Sequence, residues 1–252
     1  MTTTHETALR SSLSVLAAAT ATHNTGRDDD IALPKLPGFV ESAFSPLAYE
    51  VSSRCLTAHP GDGDRTAVAL ASLTGDTTTA DLASRRMVSG RVHNPLLFMQ
   101  ATANSVLGHM SREFGITGQM FSISTLDDTL AELLAMADLL LEDPELDRVL
   151  VLAVELGGGE RVAAVHRELA GDSGRPVPAL PESAGLAAAM LLGRPDDTAP
   201  GTQVSFRPAG STPSTGSAGP AGQLGSIQSL FELATAHAEP RTETETHTHA
   251  HQ

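Results

Sequence analysis

The sequence holds one cysteine, Cys55, no tryptophan and one tyrosine, and aromatic residues make up only 3% of its 252 positions. A single cysteine excludes an internal disulfide and a cysteine zinc cluster, and it points to a cytoplasmic protein. With so few aromatic rings, the core has to be built from Leu, Val, Ile, Ala and Met. Basic residues are also scarce: 16 Lys and Arg stand against 30 Asp and Glu, for a formal charge of -14. Without a basic stripe there is no electrostatic footprint for nucleic acid. The acidity favours solubility and repels acidic partners. Every apolar run is broken by charge before the ~20 residues that a membrane span requires. Residues 1–24 (MTTTHETALRSSLSVLAAATATHN) contain an apolar patch with A-x-A-like spacing. Glu6 and the missing basic n-region favour a first strand, with a signal peptide as the lesser alternative.

What is present is an alternation of short apolar runs and helical patterns. Residues 11–19 read as a buried strand, 24–42 as loop and 48–58 as a helix stopped by Pro60-Gly61-Asp62-Gly63. Residues 66–73 (TAVALASL) read as a second strand, closed by Gly75-Asp76 and a Thr-rich loop. Residues 95–114 read as one long helix and 119–124 as a third strand. Leu130, Leu133, Leu134, Ala137, Leu140 and Leu141 then follow the i, i+3, i+4, i+7 spacing of a helix. The apolar run 149–154 (VLVLAV) suits an interior strand covered on both faces. Residues 162–165 and 187–192 are expected to add two more strands. The pattern is α/β, a layered α/β/α domain over 1–195. Residues 196–222 read as a Gly/Ser/Pro linker expected to be disordered. Residues 223–252 read as one short amphipathic helix at 224–236 and a polar tail. His247, His249 and His251 alternate in that tail, which reads as solvated rather than as a metal site.

The segment 118–141, GQMFSISTLDDTLAELLAMADLLL, carries a strand into a Ser-Thr turn and then a helix that opens on aspartates. A helix N-terminus offers unpaired N–H groups and a positive dipole end. A thiol placed there becomes a better nucleophile. Asp127 and Asp128 stand there instead, and a carboxylate in that place is stabilised as the anion. Thr125 capping the helix, with both aspartates complementing its dipole, is the structural reading. An active or formerly active site is the alternative.

The surroundings of this turn resemble the core of the β-ketoacyl synthases. That family shows an Asn, a Gly four residues later, G-x-x-G-P, then a strand ending S-x-S-T-A-Cys, a helix, and an Asp followed eight residues on by Glu. The matching residues are Asn104, Gly108, Gly115, Gly118, Ser122, Ser124, Thr125, Asp147 and Glu155. They keep the family's spacing without a gap. The resemblance extends more loosely over 43–100, with Asn94-Pro95 near the family's Pro, and over 162–192. It covers roughly half of a ketosynthase, judged against domain sizes of this kind. It implies a thiolase-like layered α/β/α fold with a mixed sheet, N-terminal half only.

In that register Asp127 takes the place of the nucleophilic Cys. The family's two catalytic histidines, in H-G-T-G-T and G-H motifs, have no counterpart, since His237, His247, His249 and His251 lack the flanking glycines. Claisen condensation needs a thiolate to carry the acyl chain and histidines at an oxyanion site. The chain therefore looks like a chain-length factor of a type II polyketide synthase, in a shortened form of the kind associated with polyene-making systems. Chain-length factors usually show Gln at the lost Cys, so Asp127 is a departure.

The resemblance implies a ketosynthase subunit as heterodimer partner, an acyl carrier protein with its growing chain as an indirect one, and no cofactor, metal, nucleic acid or membrane. It implies a dimer interface along Gln119, Met120, Phe121, Ser122, Ile123 and Ser124. It also implies a tunnel or partner-pocket wall at Leu97, Phe98, Ala101 and Asn104, although ordinary core packing accounts equally well for Leu97 and Phe98. Cys55 reads as a small core residue. Asp138 and Glu142 read as a solvated helix face. The reading from a different class is an independent thioester hydrolase or decarboxylase using Asp127 or Asp128 as base. Such a base needs burial or a histidine neighbour. The sequence places no His beside the turn.

Overall fold

The computed structural model describes residues 11–90, 95–124, 128–173, 180–195, 203–206 and 224–238. A six-stranded mixed sheet organises them. In chain order its strands are β1 (Ser11–His23), β2 (Thr66–Ala71), β3 (Met120–Ile123), β4 (Arg148–Leu156), β5 (Gly185–Gly193) and β6 (Gln203–Phe206). The spatial order is β3-β2-β4-β5-β1-β6. Strands β2, β3 and β4 are mutually parallel, and β5, β1 and β6 join through antiparallel pairings.

The apolar runs of β4 and β5 are explained by burial on both faces. Val149, Val151, Ala153, Ala188, Met190 and Leu192 point to one side of the sheet. Leu150, Leu152, Val154, Ala187, Ala189 and Leu191 point to the other. The period-2 geometry of a strand sends alternate residues to opposite faces, so both sets must be apolar. Helices α1 (Phe44–Ala58) and α4 (Asn104–Phe114) cover the second face, and α5 (Thr129–Leu140) covers the first. Cys55 is fully buried within α1, as a small core residue should be. Glu142 is exposed and Asp138 half-buried.

Several expected elements differ. Helix α1 begins at Phe44 rather than at 48, because the Ser42 hydroxyl accepts from the Phe44 amide at 3.1 Å and Pro46 is tolerated in a first turn. The Thr-rich loop is helix α2 (Thr77–Val88). Asp76 caps it, its buried carboxylate accepting from the Thr79 amide at 3.0 Å and the Thr79 hydroxyl at 2.8 Å. That cap outweighs the weak helix preference of threonine. The long helix at 95–114 is two helices, α3 (Pro95–Gln100) and α4. The hydroxyls of Thr102 and Ser105 both donate to the Met99 carbonyl, and this competition with the backbone breaks the helix. Residues 162–165, expected as a strand, lie in α6 (Glu160–Ser173). Val162 is buried and Val165 is 41% exposed, the asymmetry of an amphipathic helix.

The C-terminal part also departs from expectation. Residues 203–206, inside the span read as linker, form β6 against Ser11–Ser14 of β1. A 3-10 turn (Gly225–Ile227) leads into α7 (Gln228–His237), which buries Ile227, Leu230, Phe231 and Ala234 on the sheet face that α5 covers. The boundary expected at 195 therefore falls inside one sheet and its covering helices. The remaining residues of the expected linker and of the polar tail lie outside the described residues.

Two of the family-spaced glycines have local reasons. Gly115 ends α4 in the left-handed region at φ 64°, and the Ile116 amide then donates to the Ser111 carbonyl. At Gly118 a Cβ would stand 2.2 Å from the Thr66 carbonyl oxygen of β2. Gly118→Ala should then cost about 1–3 kcal/mol by forcing the backbones apart. The check is the denaturation midpoint against wild type, and an unchanged midpoint would show that the backbones part freely.

Candidate functional site

The C-terminal ends of the parallel strands β2, β3 and β4 converge where the strand–turn–helix segment lies. At the end of β3 the Ser124 hydroxyl donates to the Leu73 carbonyl at 3.0 Å, tying β3 to the loop after β2. Thr125, Leu126 and Asp127 lie outside the described residues. Asp128, not Thr125, is the N-cap of α5, with its carboxylate accepting from the Ala131 amide at 3.1 Å. The cap satisfies one of the orphan N–H groups that would otherwise attract an anion. Asp128 is exposed, and its carboxylate is engaged as the cap.

Of the acidic pair matched by spacing, only Glu155 reaches this end of the sheet. Asp147 precedes β4 and Glu155 lies near its far end, about 26 Å away at the rise of a strand. Asp147 is exposed and forms a two-bond ion pair with Arg65, at 2.5 and 2.7 Å, with Arg194 at 3.8 Å. The Arg65 guanidinium holds its carboxyl below the ordinary range. It fastens the surface at the strand starts.

Glu155 is buried. One carboxylate oxygen accepts from the Leu73 amide at 2.5 Å and from the Ser226 hydroxyl at 3.3 Å. Burial pushes its pKa up from 4.5 to about 7, against the opposing hydrogen bonds of the Leu73 and Thr74 amides and the Ser226 and Ser72 hydroxyls. Spacing picked this residue out, but Ser226, 71 residues away, carried no sequence signal.

The implied pocket residues divide. Leu97 is buried at 3% exposure, Phe98 is 45% exposed, Ala101 is half-buried and Asn104 is exposed. Leu97 thus packs inside this chain, and Phe98 faces outward with Leu96 and Met99 of α3 and Met87 and Val88 of α2. Among the described residues the implied interface strand is an edge of the sheet, paired with β2 on one side only. Its residues Met120, Phe121, Ser122 and Ile123 are half-buried, with Gln119 and Ser124 exposed at its ends.

A cavity of about 900 Å³ opens beside α2 and α6, lined by His23, Glu41, Asp81, Arg85, Glu160 and Arg161 among others. Arg161 pairs with Asp81 across it. Reading α2 as a loop hid this cavity, and none of the residues matched by spacing lines it. Cys55 is no alternative nucleophile. Burial pushes its thiol up to about 12, and the thiol faces the Ala189 carbonyl at 3.7 Å. Among the described residues no group of His, Cys, Asp and Glu is arranged to hold a metal ion, and no helix is long and apolar enough to cross a membrane.

Glu155 has a pH consequence. A folded-state pKa raised above the unfolded value gives stability that is complete below the ordinary glutamate range and lost as pH rises through about 7. Denaturation across that window should show stability falling by up to about 3 kcal/mol, and Glu155→Gln should remove most of the slope. A slope that persists in the variant would place its origin elsewhere.

No protein-family profile and no curated protein matches the sequence. Solved structures do resemble the fold. A ketosynthase (ApeO) in complex with its chain length factor (ApeC) from Xenorhabdus doucetiae superposes with a TM-score of 0.55 at 17% identity, over 74% of this chain and 80% of that one. A type II polyketide synthase acyl-carrier protein in complex with its ketosynthase (AntDE:AntF) gives 0.51 at 13% identity, over 74% and 64%. A β-ketoacyl synthase from Burkholderia phymatum gives 0.50 at 16% identity, over 75% and 60%. The chain thus spans less than two thirds of the latter two. The architecture is the thiolase-like layered α/β fold of the ketosynthases and chain length factors.

Proposed function

We propose that this chain is a non-catalytic, chain-length-factor-like subunit that pairs with an active ketosynthase and shapes its acyl tunnel during polyketide or related chain elongation. The observation that carries the reading is the state of its one thiol. Acyl transfer in a ketosynthase-type fold needs a reactive thiolate at the turn before α5, and Cys55 is buried in α1 with its thiol pushed up to about 12. The partner surface has support of its own. Among the described residues, edge strand β3 has one row of backbone groups without a strand neighbour, which favours pairing with another chain. Exposed Met87, Val88, Leu96, Phe98 and Met99 add apolar surface on α2 and α3. The acyl carrier protein enters only indirectly, bringing the growing chain to the ketosynthase.

A hydrolase or decarboxylase acting through Asp128 is disfavoured by its exposure and its role as a cap. Asp127, at the place of the lost Cys, is assigned no catalytic part. Co-expression with its cognate ketosynthase should give a soluble one-to-one complex whose condensing activity survives Asp127→Ala. A monodisperse chain with no affinity for that ketosynthase, or loss of turnover in an intact Asp127→Ala complex, would overturn the reading.

Product length gives a sharper measurement. Phe98 is the outward-facing aromatic residue of α3, and Ala101 follows at the break between α3 and α4. In an assembled complex, Phe98→Ala should lengthen products and Ala101→Phe should shorten them. Unchanged acyl-chain distributions for both variants would remove α3 from the tunnel wall.

A further inference from the structure

We propose that Glu155 is a positioning residue that couples the C-terminal segment 224–238 to the end of edge strand β3. The inference rests on contacts within this chain and stands apart from the partner reading. Leu73 is held from both sides: its amide donates to Glu155 at 2.5 Å, and its carbonyl accepts from Ser124 at 3.0 Å. The same Glu155 oxygen accepts from Ser226 at 3.3 Å, at the turn that starts α7. Ser72 lies in the same loop, and its hydroxyl accepts from the Gly75 amide at 2.9 Å. The connected path is Ser226, Glu155, Leu73, Ser124. It joins a C-terminal helix to the last residue before the turn that precedes α5.

The path works because Glu155 has little else to hold it. It lies across from Leu186 of β5, and the groups acting on it are the Leu73 and Thr74 amides and the Ser72 and Ser226 hydroxyls. Among the described residues no charged side chain bonds to it, including Asp76 beyond the loop and Glu132 and Asp138 of α5. Asp76 directs its carboxylate to Thr79. The seating of 224–238 therefore sets how far water reaches the carboxyl group. If that segment lifts, water solvates Glu155, the anion becomes cheaper, and the grip on Leu73 is shared with solvent. Loosening at Leu73 then frees Ser124. By linkage, ionising Glu155 favours the lifted state, so seating of α7 weakens as pH rises.

Hydrogen–deuterium exchange of the full chain tests this, comparing wild type, Ser226→Ala and Glu155→Gln at about pH 6 and about pH 8 with intrinsic rates divided out. Ser226 is half-buried and small, so Ser226→Ala is chosen to keep the fold. It should speed exchange about two- to tenfold in α7, and also in 72–75 and 120–124, the range set by one net hydrogen bond. Wild type should exchange faster in α7 at the higher pH, and Glu155→Gln should abolish that difference. Faster exchange confined to α7 in Ser226→Ala would overturn the coupling. So would the same pH response in wild type and Glu155→Gln.

Discussion

Strands β4 and β5 bury every residue, and a strand buried on both faces obliges the chain to supply a helical layer on each side. Much of the remaining structure answers that demand. Helices α1 and α4 close one face with Phe44, Leu47, Val51, Val106 and Met110. On the other face α5 covers the β2–β4 side with Leu133, Leu134 and Ala137, and α7 covers the β5–β1 side with Leu230, Phe231 and Ala234. Without α7, Met190 and Leu192 on that side would lose much of their cover. The C-terminal helix is thus a core element of the sheet.

Burial on both faces also decides where polar groups are tolerated. β4 carries Arg148 at its start and Glu155 near its end, both buried, and each is satisfied from a neighbouring strand or loop. Arg148 donates to the Thr66 hydroxyl at 2.7 Å and to the His59 carbonyl at 2.6 Å, and Glu155 accepts from Leu73 and Ser226. A buried polar group without such partners would cost about 1–3 kcal/mol. One end of the sheet is pinned by an arginine, the other by a carboxyl group whose pKa burial pushes up to about 7. The second arrangement is the more responsive to conditions, and it adjoins the edge strand and turn on which the functional reading depends.

That reading separates two properties of one fold. Strand β3 and helix α5 stand on either side of 125–127, with β3 tied to the β2 loop and α5 capped by Asp128. Asp128 completes the helix start by donating nothing and accepting from Ala131. The edge of β3 and the apolar side chains of α2 and α3 remain outward. Scaffold and surface are the features on which the proposal of a partner subunit rests.

The sequence by itself determined the strands with continuous apolar runs, 66–73, 149–154 and 187–192, and the helix after Asp128, because those patterns depend on local period alone. It also determined that no thiol stands in the turn at 125–127. Short or mixed segments depended on tertiary contacts. VAAV at 162–165 has too few residues to separate strand from helix, and the Thr-rich 77–88 became a helix through the Asp76 cap. β6 has little apolar signal of its own and is a strand because β1 offers it an edge. Glu155 was legible as a position in a spacing pattern. Its environment was decided by Leu73 and Ser226, which meet it only after the chain has folded back across the sheet, since a pKa depends on what surrounds a group in space.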